Sequence, residues 1–339
     1  MSLLFWDSFD HYATAHLAYK YTSVGGSATI GAYGRHGTNG LQIASAANSY
    51  VRRALPTTPT TFAMGMAIYN VTMPSPGEEL FSVADGSTYQ PMVFLNNDGS
   101  LSLYRGLSTE IDISAPGVFS EAQYHYVELK ATIGNAGTAE VWVDDIRVIN
   151  FAGDTQETGN NWITQIKLGH YGAAVNTRWY DDLYVCDMSG SYCNDRLGDI
   201  RVIALFPDAD GVHTDWTPSA GADHYAMVDE ADPDDDATYN SSATPTDRDT
   251  FEFDDLPVGI AGTVHAACAV ICSRKDDAGT RTLEPSVRVG GTDYDGTPVN
   301  IPNTYGFHNM YAWETNPDIA APWTVATINA IESGYELAA

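Results

Sequence analysis

The first 190 residues contain no stretch with sustained helical periodicity, and that most limits what this chain can fold into. Short apolar runs alternate with turn signals instead. "LFSVADGSTYQPMVFLNNDGSLSLYRG" (80–106) holds three runs, Leu80–Ala84, Met92–Leu95 and Leu101–Tyr104, parted by Asp85-Gly86 and Asn97-Asp98-Gly99. "YHYVELKATIG" (124–134), "WITQIKLGHYG" (162–172) and "RWYDDLYVCD" (178–187) each add a strand. Strands of this length at this spacing close only as a sandwich or barrel. With 44% hydrophobic residues in 339, the chain can bury more than one core, and two domains are expected.

"GTAEVWVDDIRVINFAG" (137–153) shows how one hairpin should serve that core. A two-residue turn at Asp144-Asp145 pairs Val143 with Ile146, Trp142 with Arg147, and Val141 with Val148. Val141, Val143, Ile146 and Val148 then form an apolar block on one face. The Arg147 guanidinium can lie over the Trp142 indole on the other. Asp-Asp is a poor choice for such a turn, whose second position favours positive φ.

After "CDMSGSYCNDRLGD" the texture changes, and a boundary is expected near Ser189–Leu197, giving domains 1–190 and 191–339. "IRVIALFPDADGVHTD" opens the second part with a strand, followed by acidic, loop-rich sequence. "FEFDDLPVGIAGTVHAACAVICSRKDDAGTRTLEPSVRVGG" reads as two long strands joined by the turn "KDDAG", and "NTYGFHNMYAWETNP" as extended. "APWTVATINAIESGYELAA" supplies the best helix candidate, Thr324–Glu332, ended by Gly334 and followed by a last strand.

The pattern "LFSVADG…VFLNNDGSLSLYRG", "AEVWVDDIRV" and "WYDDLYV" resembles the concanavalin A-like (laminin G-like) jelly roll over about Leu3 to Asp187. In that fold the first and last strands lie together, and "FWDSFDHY" and "RWYDDLYV" suit those roles. Over nearly its full length, with "LGDIRVIALFPDADG", "DWTPSAGADHYAMVDE", "DDDATYNSS" and "PWTVATINAIESGYEL", the chain resembles a family of tailed-bacteriophage virion proteins that join a lectin-like domain to a second β-rich one. The resemblance implies an all-β protein, a concanavalin A-like jelly-roll sandwich followed by a β-rich domain with a short C-terminal helix. It also implies an exposed virion component of the tail, fibre or baseplate, with head decoration as the alternative. A soluble lectin and a polysaccharide-degrading enzyme are the alternatives from other classes. Expected partners are other virion proteins, further copies of the chain (a trimer, by analogy with phage fibres) and a host-surface polysaccharide. The implied location is the virion surface, after synthesis in the host cytoplasm.

Charge narrows these readings. Forty-four acidic against 16 basic residues give −28, a surface that repels phosphate backbones, so no nucleic-acid partner is expected. No apolar run approaches a membrane span, and "MSLLFWDSFD" lacks a signal peptide's basic start, so cytosolic folding without membrane insertion is expected. Cys268 and Cys272, about 13 Å apart along one strand at ~3.3 Å per residue, are too distant to bridge. Cys186 and Cys193 could meet across a turn, but four free thiols are expected in a reducing compartment.

The glycosidase strings E-x-D-x-E and E-x-D-x-x-E, which aim two carboxylates into one cleft, are absent, and no enzyme activity is expected. No cofactor motif occurs either. Asp208, Asp210 and Asp215 in "PDADGVHTD" and the run Asp229–Asp236 offer calcium-type oxygen ligands without EF-hand spacing. Glycan recognition would fall on rim loops, where Tyr33, Arg35 and His36 of "GAYGRHGTNG" and Tyr104 and Arg105 of "LYRGLSTE" combine rings with polar groups.

Overall fold

The computed structural model describes residues 2–170, 172 and 176–339, so Tyr171 of the run "WITQIKLGHYG" lies outside the described residues. Two compact units divide the chain, Ser2–Val202 and Ile203–Ala339. The first contains β1 (Leu3–Asp7), β2 (Ser23–Gly25), β3 (Ala28–Gly31), β4 (Gly40–Ile43), β5 (Tyr50–Ala54), β6 (Thr61–Asn70), β7 (Glu78–Asp85), β8 (Thr88–Leu95), β9 (Leu101–Arg105), β10 (Thr109–Ile113), β11 (Tyr124–Thr132), β12 (Gly137–Val143), β13 (Ile146–Gly153), β14 (Gln165–Gly169) and β15 (Arg178–Cys186). They form two antiparallel sheets. One runs β13-β12-β11-β6-β15-β4-β3 with β1 added on β15, and the other runs β10-β9-β8-β7-β14-β5-β2. This is the expected antiparallel β-sandwich, and β1 and β15 do lie together, with Phe5 opposite Val185 and Asp7 opposite Leu183.

Alternation decides which side chains enter the core. Phe62, Met64, Met66 and Ile68 of β6 are fully buried, as are Val127 and Leu129 of β11 and Phe81, Val83, Val93, Leu103 and Leu168 across the second sheet. Polar groups tie the two sheets together inside. The Tyr180 hydroxyl donates to the Leu80 carbonyl at 2.5 Å, and Arg178, with no exposed surface, meets Glu78 at 2.6 Å. A buried charge of this kind is tolerated only when paired.

The hairpin forms with the expected turn, and Asp144 and Asp145 both take positive φ, 48° and 64°. Side-chain bonds offset that strain. Asp144 accepts from the Tyr126 amide at 2.8 Å and pairs with His125 at 2.6 Å, and Asp145 meets Arg196 at 2.7 Å. Val143 pairs with Ile146 and Trp142 with Arg147, whose guanidinium lies 5.7 Å from the indole centroid. The expected Val141–Val148 pair is corrected. A bulge after Val141 shifts the register, so Ile149 stands opposite it and is buried, while Ile146 at the turn is 68% exposed.

The first unit extends to Val202 because residues 196–202 are tied to the outer face of the first sheet. The Glu128 carboxylate accepts from the Tyr184 hydroxyl at 2.5 Å and the Gly198 amide at 2.9 Å, and it pairs with Arg196 at 2.7 Å. Tyr184 in turn accepts from the Leu197 amide, and Asp182 from the Val202 amide. Gly65 makes room for this arrangement, since a Cβ there would meet the Tyr184 ring and the Glu128 stem. The compositional break near residue 190 therefore precedes the structural one.

The second unit holds β16 (Pro207–Thr214), β17 (Thr217–Pro218), β18 (Asn240–Ser241), β19 (Arg248–Phe253), β20 (Ala267–Ser273), β21 (Thr282–Val289), β22 (Thr292–Asp295), β23 (Val299–Asn300), β24 (Gly306–Trp313) and β25 (Glu332–Leu337). Its main sheet is β16-β19-β25-β21-β22, with β23 on β21. Phe251, Leu283, Val287, Tyr335, Trp313, Trp323 and Ile328 form its core. The strands flanking "KDDAG" form no hairpin, because β20 pairs with β24 while β21 joins the main sheet. The helix covers only Val325–Ile328, opened by a Thr324/Thr327 capping box. Gly334 does not end it but sits within β25, where a Cβ would collide with the Asp249 backbone. Cys186 and Cys272 are free thiols, and burial pushes each up to about 12.

Candidate functional site

One cross-strand row runs over the whole outer face of the seven-stranded sheet. The register aligns Ser23, Arg52, Lys167, Ser82, Met92, Tyr104 and Glu110, one residue from each strand. Their chain neighbours Val51, Leu168, Val83, Val93 and Leu103 point into the core, so alternation puts the row on the opposite face, where Lys167, Ser82 and Met92 are covered while Ser23, Arg52, Tyr104 and Glu110 reach solvent. At one end, the Arg52 guanidinium lies 4.6 Å from the Tyr50 ring centroid and 5.9 Å from that of Tyr89. It donates to the Tyr89 hydroxyl at 2.9 Å, and Lys167 Nζ stands 3.0 Å from the same oxygen. Lys167 is itself neutralised by Glu79 at 2.7 Å, both almost fully buried.

Toward the other end, Ala84, Tyr89 and Met92 make a small apolar cluster joined by Phe94 and Tyr104. It leads into a pocket of about 330 Å³ lined by Asn96, Asp98, Ser102, Tyr104, Glu110 and Ile113, among others. The Asn96 amide donates to Ser100 and Ser102, and the Ser102 hydroxyl donates to Glu110 at 3.0 Å. Partial burial, then the Glu110 carboxylate, raises the Tyr104 hydroxyl above its ordinary range. Amide, hydroxyl, carboxylate and ring thus converge on one concavity, the set of groups that orients a polyhydroxylated ligand.

Of the residues singled out from sequence, only Tyr104 joins this face. Arg105 is held by Asp154 and by Glu157 at 3.2 Å. Arg35 is a pinning residue: its guanidinium pairs with Asp182 and Asp199, each at 2.5 Å, and donates to the Ile200 carbonyl. His36 is exposed beside it. Tyr33 stacks on Trp179 at 5.4 Å, which stacks on Tyr69 at 4.3 Å, so these rings spend their faces on each other. Asp208, Asp210 and Asp215 do not converge. Asp210 accepts from the Tyr225 amide and Asp215 from that of Arg248, and no group of three or more His, Cys, Asp or Glu among the described residues is placed to hold a metal.

Sequence reading missed Arg52, Tyr89 and Lys167. A usable signal lay in "YVRRA" (50–54): adjacent arginines in a strand face opposite ways. Arg53 points inward, donating to the Lys20 carbonyl with Phe5 at 5.1 Å, while Arg52 points outward.

No protein-family model and no curated protein matches the chain. Solved structures do. An endo-β-1,4-glucuronan lyase from the fungus Trichoderma reesei is 15% identical, with 49% of this chain and 90% of that one covered, at a TM-score of 0.38. The alginate lyase Aly36B is 14% identical, covering 54% and 96%, at 0.39. A sialidase of Trypanosoma rangeli is 10% identical, covering 44% and 25%, at 0.35. None of these is a phage virion protein. The expectation that the chain is no enzyme does not stand beside lyases and sialidases, although likenesses this distant assign no reaction to it.

Proposed function

We propose that the jelly-roll unit is a glycan-binding module whose ligand lies along the outer face of the seven-stranded sheet. The observation that supports this reading is the polar pocket at Ser102, Tyr104 and Glu110, on the same sheet face as the half-buried Arg52. From Arg52 to Tyr104 is four strand spacings, about 19 Å at ~4.8 Å each, enough for several sugar rings. A site this open binds weakly, on the order of millimolar or about −4 kcal/mol, and gains from repeated copies. Presentation on a phage particle, implied by the full-length resemblance, suits such a module and is tested separately by locating the chain in intact particles.

The test is titration of purified chain against a panel of soluble polysaccharides, with Tyr104→Ala and Glu110→Gln as variants. Each should weaken binding about tenfold, the effect of losing roughly 1.4 kcal/mol, without moving the melting midpoint. Chromatography of the glycan after incubation reads whether it is also cleaved. Binding that neither variant changes would place the ligand elsewhere.

A further inference from the structure

Arg52 belongs to the minority of this chain's cations, with Arg53, Arg201 and Lys275, for which no ion pair is found among the described residues. With 44 acidic and only 16 basic residues, a guanidinium ordinarily finds a carboxylate, as Arg35, Arg105, Arg147, Arg178, Arg196 and Arg248 do. No carboxylate among the described residues makes an ion pair with Arg52. Its contacts are the Tyr50 and Tyr89 rings and the Tyr89 hydroxyl, which Lys167 also holds from below. The side chain is half-buried yet outward-facing, and only one of its nitrogens, Nη2, is engaged by a protein acceptor. Ring contacts and a fixed hydroxyl hold the guanidinium in one orientation while its remaining N–H groups stay available. That is how a planar anion is received in a bidentate manner.

We infer that Arg52 forms a carboxylate-recognition subsite, and that the glycan bound along this face is an acidic one carrying uronate-type groups. The inference rests on the glycan-binding reading of the same face and adds its ligand class. The pocket about 19 Å away, lined by Tyr104, Ser102 and Glu110, would take hydroxyl-bearing portions of the same chain. The carboxylate must come from the ligand, since Lys167 is already matched by Glu79 and only Arg52 is left with an unmatched charge on this row's basic end.

The experiment compares alginate and polygalacturonate with their methyl esters, and with dextran sulfate, on the full chain. About 0.15 M salt is used so that the −28 net charge is screened beyond ~8 Å. The native protein should bind the free acids about tenfold or more tighter than the esters. Arg52→Met should erase that preference, and Arg52→Lys should retain part of it, which separates loss of charge from misfolding. Tyr104→Ala should weaken acid and ester alike. Equal affinity for acid and ester, or a preference that survives Arg52→Met, overturns the subsite alone. Tighter binding of dextran sulfate than of either polyuronate overturns the ligand class. Failure to bind any polymer overturns both this inference and the reading beneath it.

Discussion

Asp181 is a buried carboxylate of the first sheet. It is 2% exposed, and burial, followed by the neighbouring Asp182 charge, pushes its pKa up to about 8. The unfolded value is near ~3.9, so across the window from about 4 to 8 the folded state holds a proton that the unfolded state has lost. Stability is therefore greatest at the acidic end, falls as pH rises through that window and levels off above it. Asp10, raised to about 6 chiefly by burial, adds to the lower part with the same sign. Melting midpoints of the native chain should decline from about pH 5 to 8.5, and Asp181→Asn should flatten the decline. The variant's absolute midpoint is a poor guide, because an amide cannot accept from both the Arg35 and Asp182 backbone N–H groups as Asp181 does. Identical slopes in the two proteins would show that Asp181 is ionised throughout.

Two elements carry predictions of their own. In the hairpin, Val141 has no exposed surface, and Val141→Asp would bury an unpaired carboxylate at several kcal/mol, comparable with a domain's whole stability. Loss of the cooperative thermal transition is expected, whereas Ile146→Asp at the exposed turn should melt within a few degrees of the native chain. In the strap over the first sheet, Glu128 gathers Tyr184, Gly198 and Arg196. Glu128→Gln weakens charge-assisted contacts by about 2 kcal/mol, which raises the open population roughly 30-fold. Limited proteolysis should then cut within 189–202 correspondingly faster, while the acidic loop 229–236 is cut at an unchanged rate. Equal rates at 189–202 would mean that Glu128 does not hold the strap.

For the whole molecule, the position of the boundary is the testable matter. A fragment ending at Val202 keeps every partner of Glu128 and should melt cooperatively on its own. One ending at residue 190 strips Glu128 of Arg196 and the Gly198 amide, charge-assisted contacts whose loss costs about 1.5–3 kcal/mol each. Calorimetry of the two fragments should show the shorter one melting well below the longer. Matching midpoints would put the boundary back at the compositional break.

Period-two apolar patterning and Gly- and Asp-rich turns were enough, from sequence, to establish strands and a sandwich, because these depend on local burial and on backbone turn geometry, whereas the pairing of β1 with β15 followed only from the resemblance to the jelly roll. The bulge that replaces Val148 by Ile149 was not legible, since one inserted residue leaves the composition of a strand unchanged while reversing what it faces. The helix was read too long for a related reason: Gly334 looks like a stop signal, but the close backbone of Asp249 in a neighbouring strand is what requires it. The candidate site was legible only at Tyr104. Arg52, Lys167 and Tyr104 are distant in sequence and ordinary in their local context, and they become one surface only when five neighbouring strands bring them into register. Local sequence sets which way a side chain points within its strand. Only the assembled sheet decides what stands beside it, because cross-strand neighbours are chosen by hydrogen-bond register between segments tens of residues apart.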